Sequence, residues 1–96
     1  MTGGAGFIGS NLVDALLARG DEVTVVDNFA SGKRENLNAE ARLLEHDIRE
    51  PFSLAPDVVF HLAAQADVQT SMKRPEYDAA VNVVGTVNVL QAAPGA

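Results

Sequence analysis

Three observations predict an α/β fold built on a doubly wound parallel sheet. A glycine-rich turn, Thr2-Gly-Gly-Ala-Gly-Phe-Ile-Gly-Ser10, runs straight into a helical pattern. A β-branched run comes next and ends in an acid, Asp27. Short strand-like runs and a long helical stretch then succeed one another to the end of the chain. The expected sheet is partial. A turn of this kind hangs from the end of a first parallel strand, and only Met1 and Thr2 stand before Gly3.

The glycines read in two registers, Gly3-x-x-Gly6-x-x-Gly9 and Gly4-x-Gly6-x-x-Gly9. Glycine tolerates positive φ in a tight turn, and without a Cβ it lets backbone N–H groups approach a diphosphate. At Gly9, inside the helix, a missing side chain lets helix and sheet pack closely. Three glycines can also serve as a bare turn, so the triplet gains weight only from the residues downstream of it. A helix extends from Ser10 to Arg19, with Leu12, Val13, Ala15, Leu16 and Leu17 as its apolar residues and Gly20 as its stop. Glu22-Val-Thr-Val-Val-Asp27 has the composition of a strand buried in a parallel sheet. Asp27 stands beyond Gly9 at close to the ~20-residue offset at which an acid ending the second strand accepts hydrogen bonds from a ribose. A carboxylate there repels a 2′-phosphate, so the pattern points to NAD rather than NADP. The alternative is that Asp27 simply opens the turn Asp27-Asn-Phe29.

Arg42-Leu-Leu-Glu-His46 reads as a third strand, succeeded by Asp47-Ile-Arg49 and a loop containing Pro51. Val58-Val-Phe-His-Leu62, introduced by Pro56 and Asp57, reads as a fourth, ending in Ala63-Ala64-Gln65. Small residues at the carboxyl end of a parallel strand leave room for a ligand, or let a helix pack closely. Pro75 suits the first turn of a last helix from about Glu76 to Ala93, stopped by Pro94-Gly95. Val81, Val83, Val84, Val87 and Val89 lower its propensity, so tertiary burial has to hold it. In the strand order 3-2-1-4 the first strand is central. With that strand reduced to Met1 and Thr2, either the second strand pairs directly with the fourth or the chain requires a partner strand. No linker or repeat intervenes, so residues 1–96 read as one domain, with nothing of the sheet after the fourth strand and its helix.

Composition narrows the function. Cys is absent, which excludes a disulfide framework, a thiolate metal site and a catalytic cysteine. The two histidines, His46 and His61, lack metal-site spacing and read as strand-end residues, so no metal is expected. A net charge of −6, with Lys33-Arg34 and Lys73-Arg74 as isolated basic pairs, argues against nucleic acid as a partner. No apolar stretch approaches the ~18 residues of a membrane span, and no basic signal-peptide flank opens the chain. No membrane partner and a cytoplasmic location are therefore expected.

Five blocks in order, Thr2-Gly-Gly-Ala-Gly-Phe-Ile-Gly-Ser10, Val26-Asp-Asn-Phe29 with Ser31-Gly-Lys-Arg-Glu-Asn36, His46-Asp-Ile48, His61-Leu-Ala-Ala-Gln65 and Asn82-Val-Val-Gly-Thr86, resemble the NAD-dependent epimerase/dehydratase family over essentially the whole chain. This is the extended short-chain dehydrogenase/reductase group acting on nucleotide sugars, with a Rossmann-like cofactor domain. The resemblance implies that Gly3, Gly6, Phe7, Ile8 and Gly9 line the pyrophosphate. Asp27 and Asn28 would bind the adenosine ribose, with Ser31 and Gly32 beside them. Asp47 and Ile48 would flank adenine, the carboxylate accepting the exocyclic amine and the Ile covering the ring. Leu62, Ala63, Ala64 and Gln65 would run towards the nicotinamide ribose, with Asn82 supporting that wall. By themselves, Asp47 reads as a cap or turn residue and Asn82 as a plain helix-surface residue.

The family's chemistry uses a Ser or Thr and a Tyr-x-x-x-Lys pair for proton transfer. Here the only tyrosine, Tyr77, has Val81 four positions on, so no catalytic residue is assigned. Tyr77 reads as a helix residue beside Pro75, and Ser71 as a helix or turn polar group. The blocks most resemble the branch that inverts C4 of a UDP-sugar through reversible oxidation by bound NAD. The implied cofactor is NAD, the nucleotide sugar is a substrate only of an intact parent, and the isolated chain is expected to be inactive. Dehydratase and decarboxylase relatives, a non-catalytic nucleotide-binding or interaction module, and a complementing chain or homodimer as partner all stay open.

Overall fold

The computed structural model describes residues 1–96. They form two compact units, Met1–Asp47 with Phe60–Ala63, and Ile48–Val59 with Ala64–Ala96.

In the first unit, helix α1 (Phe7–Ala18) starts directly from the glycine turn, with Gly6 at its N-cap. It ends where Gly20, at φ 96°, lets the chain fold back. The Gly20 N–H donates to the Leu17 carbonyl at 3.0 Å and the Asp21 N–H to that of Leu16 at 3.1 Å. This is the paired closure that a left-handed residue after a helix permits. Strand β1 (Thr24–Asp27) pairs in parallel with β2 (Arg42–Glu45), Thr24 opposite Arg42 and Asp27 opposite Glu45. Val13, Val23 and Val25 form the core, with Met1, Leu16, Leu17, Leu37 and Ala41 packed around it. Removing each such buried aliphatic side chain from water is worth about 1.5–3 kcal/mol. β1 is therefore buried at Val25, Val26 and Asp27, whereas β2 is largely exposed, as an edge strand is.

The second strand does not pair directly with the fourth. Thr2 lies between them and makes parallel bridges to both Val26 and His61. Its N–H donates to the Phe60 carbonyl at 3.0 Å and its carbonyl accepts from Leu62 at 3.2 Å. On the other side the Gly3 N–H reaches the Val26 carbonyl at 3.0 Å. The order 3-2-1-4 thus persists with a first strand one bridge long. The fourth strand, expected over Val58–Leu62, is for the same reason reduced to the bridge at His61, because Thr2 is its only ladder partner.

In the second unit, α2 (Val68–Lys73), α3 (Pro75–Ala79) and α4 (Gly85–Ala92) succeed one another, with a π-helical turn, Ala80–Val84, joining the last two. Pro75 opens α3, where its missing N–H and fixed φ are harmless. Ile48, Val89 and Ala92 are buried here. The expectation that burial holds the valine-rich helix is met at Val89. It fails at Val83, Val84 and Val87, which are 61%, 48% and 46% exposed. α2 is a helix beyond those the sequence pattern predicts, although its start carries a cap signal. Asp67 accepts hydrogen bonds from the Thr70 N–H at 3.2 Å and the Thr70 hydroxyl at 2.6 Å.

Candidate functional site

The glycine turn is shaped by three different demands. Gly3 has φ 71°, and a Cβ there would lie 2.9 Å from the Ala63 nitrogen. Gly9 is buried, and its Cβ would lie 2.1 Å from the Gly3 carbonyl oxygen, an impossible contact with rigid backbone. Gly6 differs from both. Its φ of −77° suits any residue, and a Cβ would meet nothing closer than the Gly3 oxygen at 3.4 Å. The protein's own packing does not require a glycine at Gly6. Gly6 also offers no side-chain cap to α1, and no acid stands in its first turn. Those N–H groups and the helix dipole leave an end suited to a diphosphate. Phe7 and Ile8, beside it, are 84% and 70% exposed.

Asp27 is buried at the end of β1 and serves two groups. One carboxylate oxygen accepts the Ala5 N–H at 3.0 Å, and the other accepts the Phe29 N–H at 2.7 Å. The turn-opening role therefore holds, and a second task, holding the glycine turn, joins it. Asn28 is exposed and its amide reaches the Asp47 carboxylate at 3.4 Å. Ser31 is exposed, while Gly32 packs against Ala5. Phe29, at φ 59°, lies under the Arg34 guanidinium at 4.3 Å, and Arg34 also pairs with Glu45.

The Thr2 hydroxyl ties Leu62 and Ala63 to the turn. It accepts the Leu62 and Ala63 N–H groups, both at 3.1 Å. With those positions taken, its own proton goes to His61 Nδ1, 2.6 Å away. That bond requires an unprotonated Nδ1. Burial, and then the positive Met1 amine, hold the His61 pKa below its ordinary value, in keeping with a neutral ring.

In the second unit, Gln65 and Asn82 clasp one another. The Gln65 N–H donates to Asn82 Oδ1 at 2.8 Å, and Asn82 Nδ2 donates to the Gln65 carbonyl at 2.9 Å. The Gln65 side chain and Asn82 Nδ2 both reach Asp78 Oδ1, at 2.8 and 3.2 Å. Asn82 is thus no plain surface residue. It lies in the π-helical turn, the kind of helix irregularity that often marks functional positions. Ala64 is exposed, between Ala63 and this clasp in sequence. Ile48 is 6% exposed and packs where a Cβ on Gly85 would stand. The guanidinium groups of Arg74 and Arg49 both lie over the Tyr77 ring, 4.6 and 4.9 Å from its centre.

Three structural contributors escape sequence reasoning. Thr2 is one. Asn36 is another, its amide donating to the Ala5 carbonyl at 3.1 Å. The third is buried Asn88, which donates to the Ile48 carbonyl at 2.8 Å. The only sequence signal for Asn88 is a polar residue amid the apolar spacing of the last helix.

The model of the NAD dependent epimerase/dehydratase family matches residues 1–96. UDP-glucuronic acid decarboxylase 1 of Arabidopsis thaliana is 46% identical over 94% of this chain and 22% of its own length. A UDP-glucose 4-epimerase of Mycolicibacterium smegmatis is 44% identical over 97% of this chain and 33% of its own. Among solved structures, the Thermotoga maritima UDP-glucose 4-epimerase with UDP-glucose matches at TM-score 0.87 and 44% identity, covering 95% of this chain and 32% of that one. The Thermus thermophilus UDP-glucose 4-epimerase in complex with NAD matches at TM-score 0.80 and 43% identity, with the same coverage. The chain spans a third or less of the length of these relatives. A glycine turn opening onto α1, an acid ending β1 and a family match along every residue lead to one conclusion: the chain belongs to the NAD-dependent epimerase/dehydratase family.

Proposed function

We propose that this chain is the NAD-binding portion of a nucleotide-sugar epimerase or dehydratase, most like a UDP-glucose 4-epimerase, and that residues 1–96 are part of a single cofactor-binding domain. The observation that carries the reading is the cradle at Gly6, where a Cβ would fill space that the protein itself leaves free. Gly3, Gly6, Phe7, Ile8 and Gly9 would hold the pyrophosphate. Asp27 and Asn28, with Ser31 and Gly32 beside them, would hold the adenosine ribose. Asp47 and Ile48 would flank the base. Leu62 to Gln65 would run along the cofactor, with Asn82 fixing their course through Gln65. When bound, NAD supplies a hydride acceptor for the sugar C4. The hydroxyl proton would pass to a tyrosine of the family's Tyr-x-x-x-Lys pair, which this chain does not contain. The isolated chain therefore binds cofactor and turns nothing over. The 46% identity to a UDP-glucuronic acid decarboxylase favours a second reading, the same cofactor portion from a sugar-nucleotide decarboxylase.

Isothermal titration of the chain with NAD tests the reading. Saturable binding is expected, weakened in both Gly6→Ala and Asp27→Ala. Gly6→Ala is the cleaner variant, because Asp27 also holds the Ala5 N–H. No binding by the folded wild-type chain would overturn the proposal.

A further inference from the structure

We propose that Asn36 is a positioning residue for dinucleotide binding, clamping the Ala5–Gly6 peptide so that the glycine turn is set before the diphosphate arrives. The inference rests on the NAD-binding reading and adds to it a residue that lies outside the assigned cofactor contacts.

Ala5 is fully buried, between Gly4 and Gly6. Its N–H is fixed by Asp27 Oδ2 at 3.0 Å, and its carbonyl oxygen accepts two donors, the Lys33 N–H at 3.1 Å and Asn36 Nδ2 at 3.1 Å. The peptide is planar, so holding the Ala5 carbonyl also fixes the direction of the Gly6 N–H in the same plane. That N–H closes onto the Gly3 carbonyl at 3.1 Å. Both peptide planes flanking Ala5 are thus held from outside the turn, and neither can flip without losing a partner.

The loop that supplies this clamp is itself fitted to Ala5. A Cβ on Gly32 would stand 2.9 Å from the Ala5 carbonyl carbon and 3.0 Å from its oxygen, so only glycine lets the loop come this close. One short helical turn, Arg34–Asn36, then carries the Asn36 amide back to the carbonyl, stabilised by the Asn36 N–H donating to the Lys33 carbonyl at 3.0 Å. Asn36 is exposed as a residue, and its amide tip makes the part-buried contact with the Ala5 carbonyl. Losing that tip leaves the Lys33 N–H on the Ala5 oxygen, so the turn loosens without stranding a buried carbonyl.

The test is titration of the wild-type chain, Asn36→Ala and Asn36→Asp with ADP-ribose and with adenosine, monitored by amide chemical shifts, with urea unfolding as a control. Adenosine carries no diphosphate and reports on the rest of the site. Asn36→Ala is expected to weaken ADP-ribose about three- to tenfold, the worth of one hydrogen bond, while adenosine is unchanged. Asn36→Asp, a non-donor with added negative charge, is expected to weaken it further. An equal loss for both ligands would mean a merely structural role, and an unchanged ratio of affinities would refute the clamp. A folded wild-type chain that binds neither ligand would overturn the NAD-binding reading and the clamp together; binding with an unmoved ratio would overturn the clamp alone.

Discussion

Adding one methyl group at Gly9 and one at Gly6 separates what the glycine turn does for the fold from what it does for a ligand. At Gly9 the new Cβ would fall 2.1 Å from the Gly3 oxygen, 2.9 Å from the Gly3 carbonyl carbon and 3.0 Å from the Gly4 Cα. All three are backbone atoms, so relief requires moving α1 or the turn. Overpacking of this kind costs about 1–3 kcal/mol or more, and the ~1 kcal/mol that alanine gains over glycine in helix propensity offsets only part of it. At Gly6 the nearest atom is 3.4 Å away and φ is already −77°. There the poorer N-cap costs about 0.5–1 kcal/mol and the reduced unfolded-state entropy returns about 0.4–1 kcal/mol, for a net effect near zero. Urea unfolding monitored by circular dichroism should therefore place Gly6→Ala at the wild-type midpoint and Gly9→Ala well below it. In heat each kcal/mol corresponds to about 4–8 °C for a chain of this size. NAD titration should show the reverse emphasis for Gly6→Ala, with a wild-type fold and weakened binding. Equal midpoints for the two variants would refute the assignment of Gly9 to packing.

Thr2→Val keeps the shape and removes the oxygen that serves Leu62, Ala63 and His61; we expect a loss of about 1–3 kcal/mol in urea unfolding, recovered in Thr2→Ser. Because the native state favours neutral His61, the unfolded chain binds more protons in acid. The stability from this group should be complete above its ordinary pKa of 6.5 and fall as pH drops through the lower native value, and an unchanged pH profile in His61→Asn would count against this source. Asn82→Ala should speed hydrogen exchange at the Gln65 amide and destabilise by about 1–3 kcal/mol, whereas wild-type exchange there would dispose of the clasp. Asp27→Asn has one acceptor oxygen for two N–H groups, so it should lose either the Ala5 or the Phe29 bond, seen as a shift of one of those amides by NMR.

Much of the fold is legible in the sequence because local rules generate it. Gly20 ends α1 through a left-handed turn, Pro75 opens α3, and the β-branched run before Asp27 becomes the buried strand β1. α2 escapes sequence reading for a local reason too, since its six residues are short for a periodic pattern and the Asp67 cap is its main signal. Direct pairing of the second and fourth strands fails as an expectation because residue counting ignores how far two residues can reach. Thr2 alone, extended and with donors and acceptors on both edges, bridges Val26 and His61.

The sequence by itself determined the class of fold and the family, because glycines at a turn, an acid at a strand end and ordered motif blocks are local chemistry written in sequence. Tertiary structure alone decided which glycine serves packing and which faces open space, that Asp27 holds Ala5, that Asn82 holds Gln65, and that Thr2 and Asn36 matter. The Asp27–Ala5, Asn82–Gln65, Thr2–Ala63 and Asn36–Ala5 hydrogen bonds join residues from 17 to 61 positions apart. Such contacts depend on where the folded backbone brings a donor within about 3 Å of an acceptor, and residue spacing along the chain does not encode that distance.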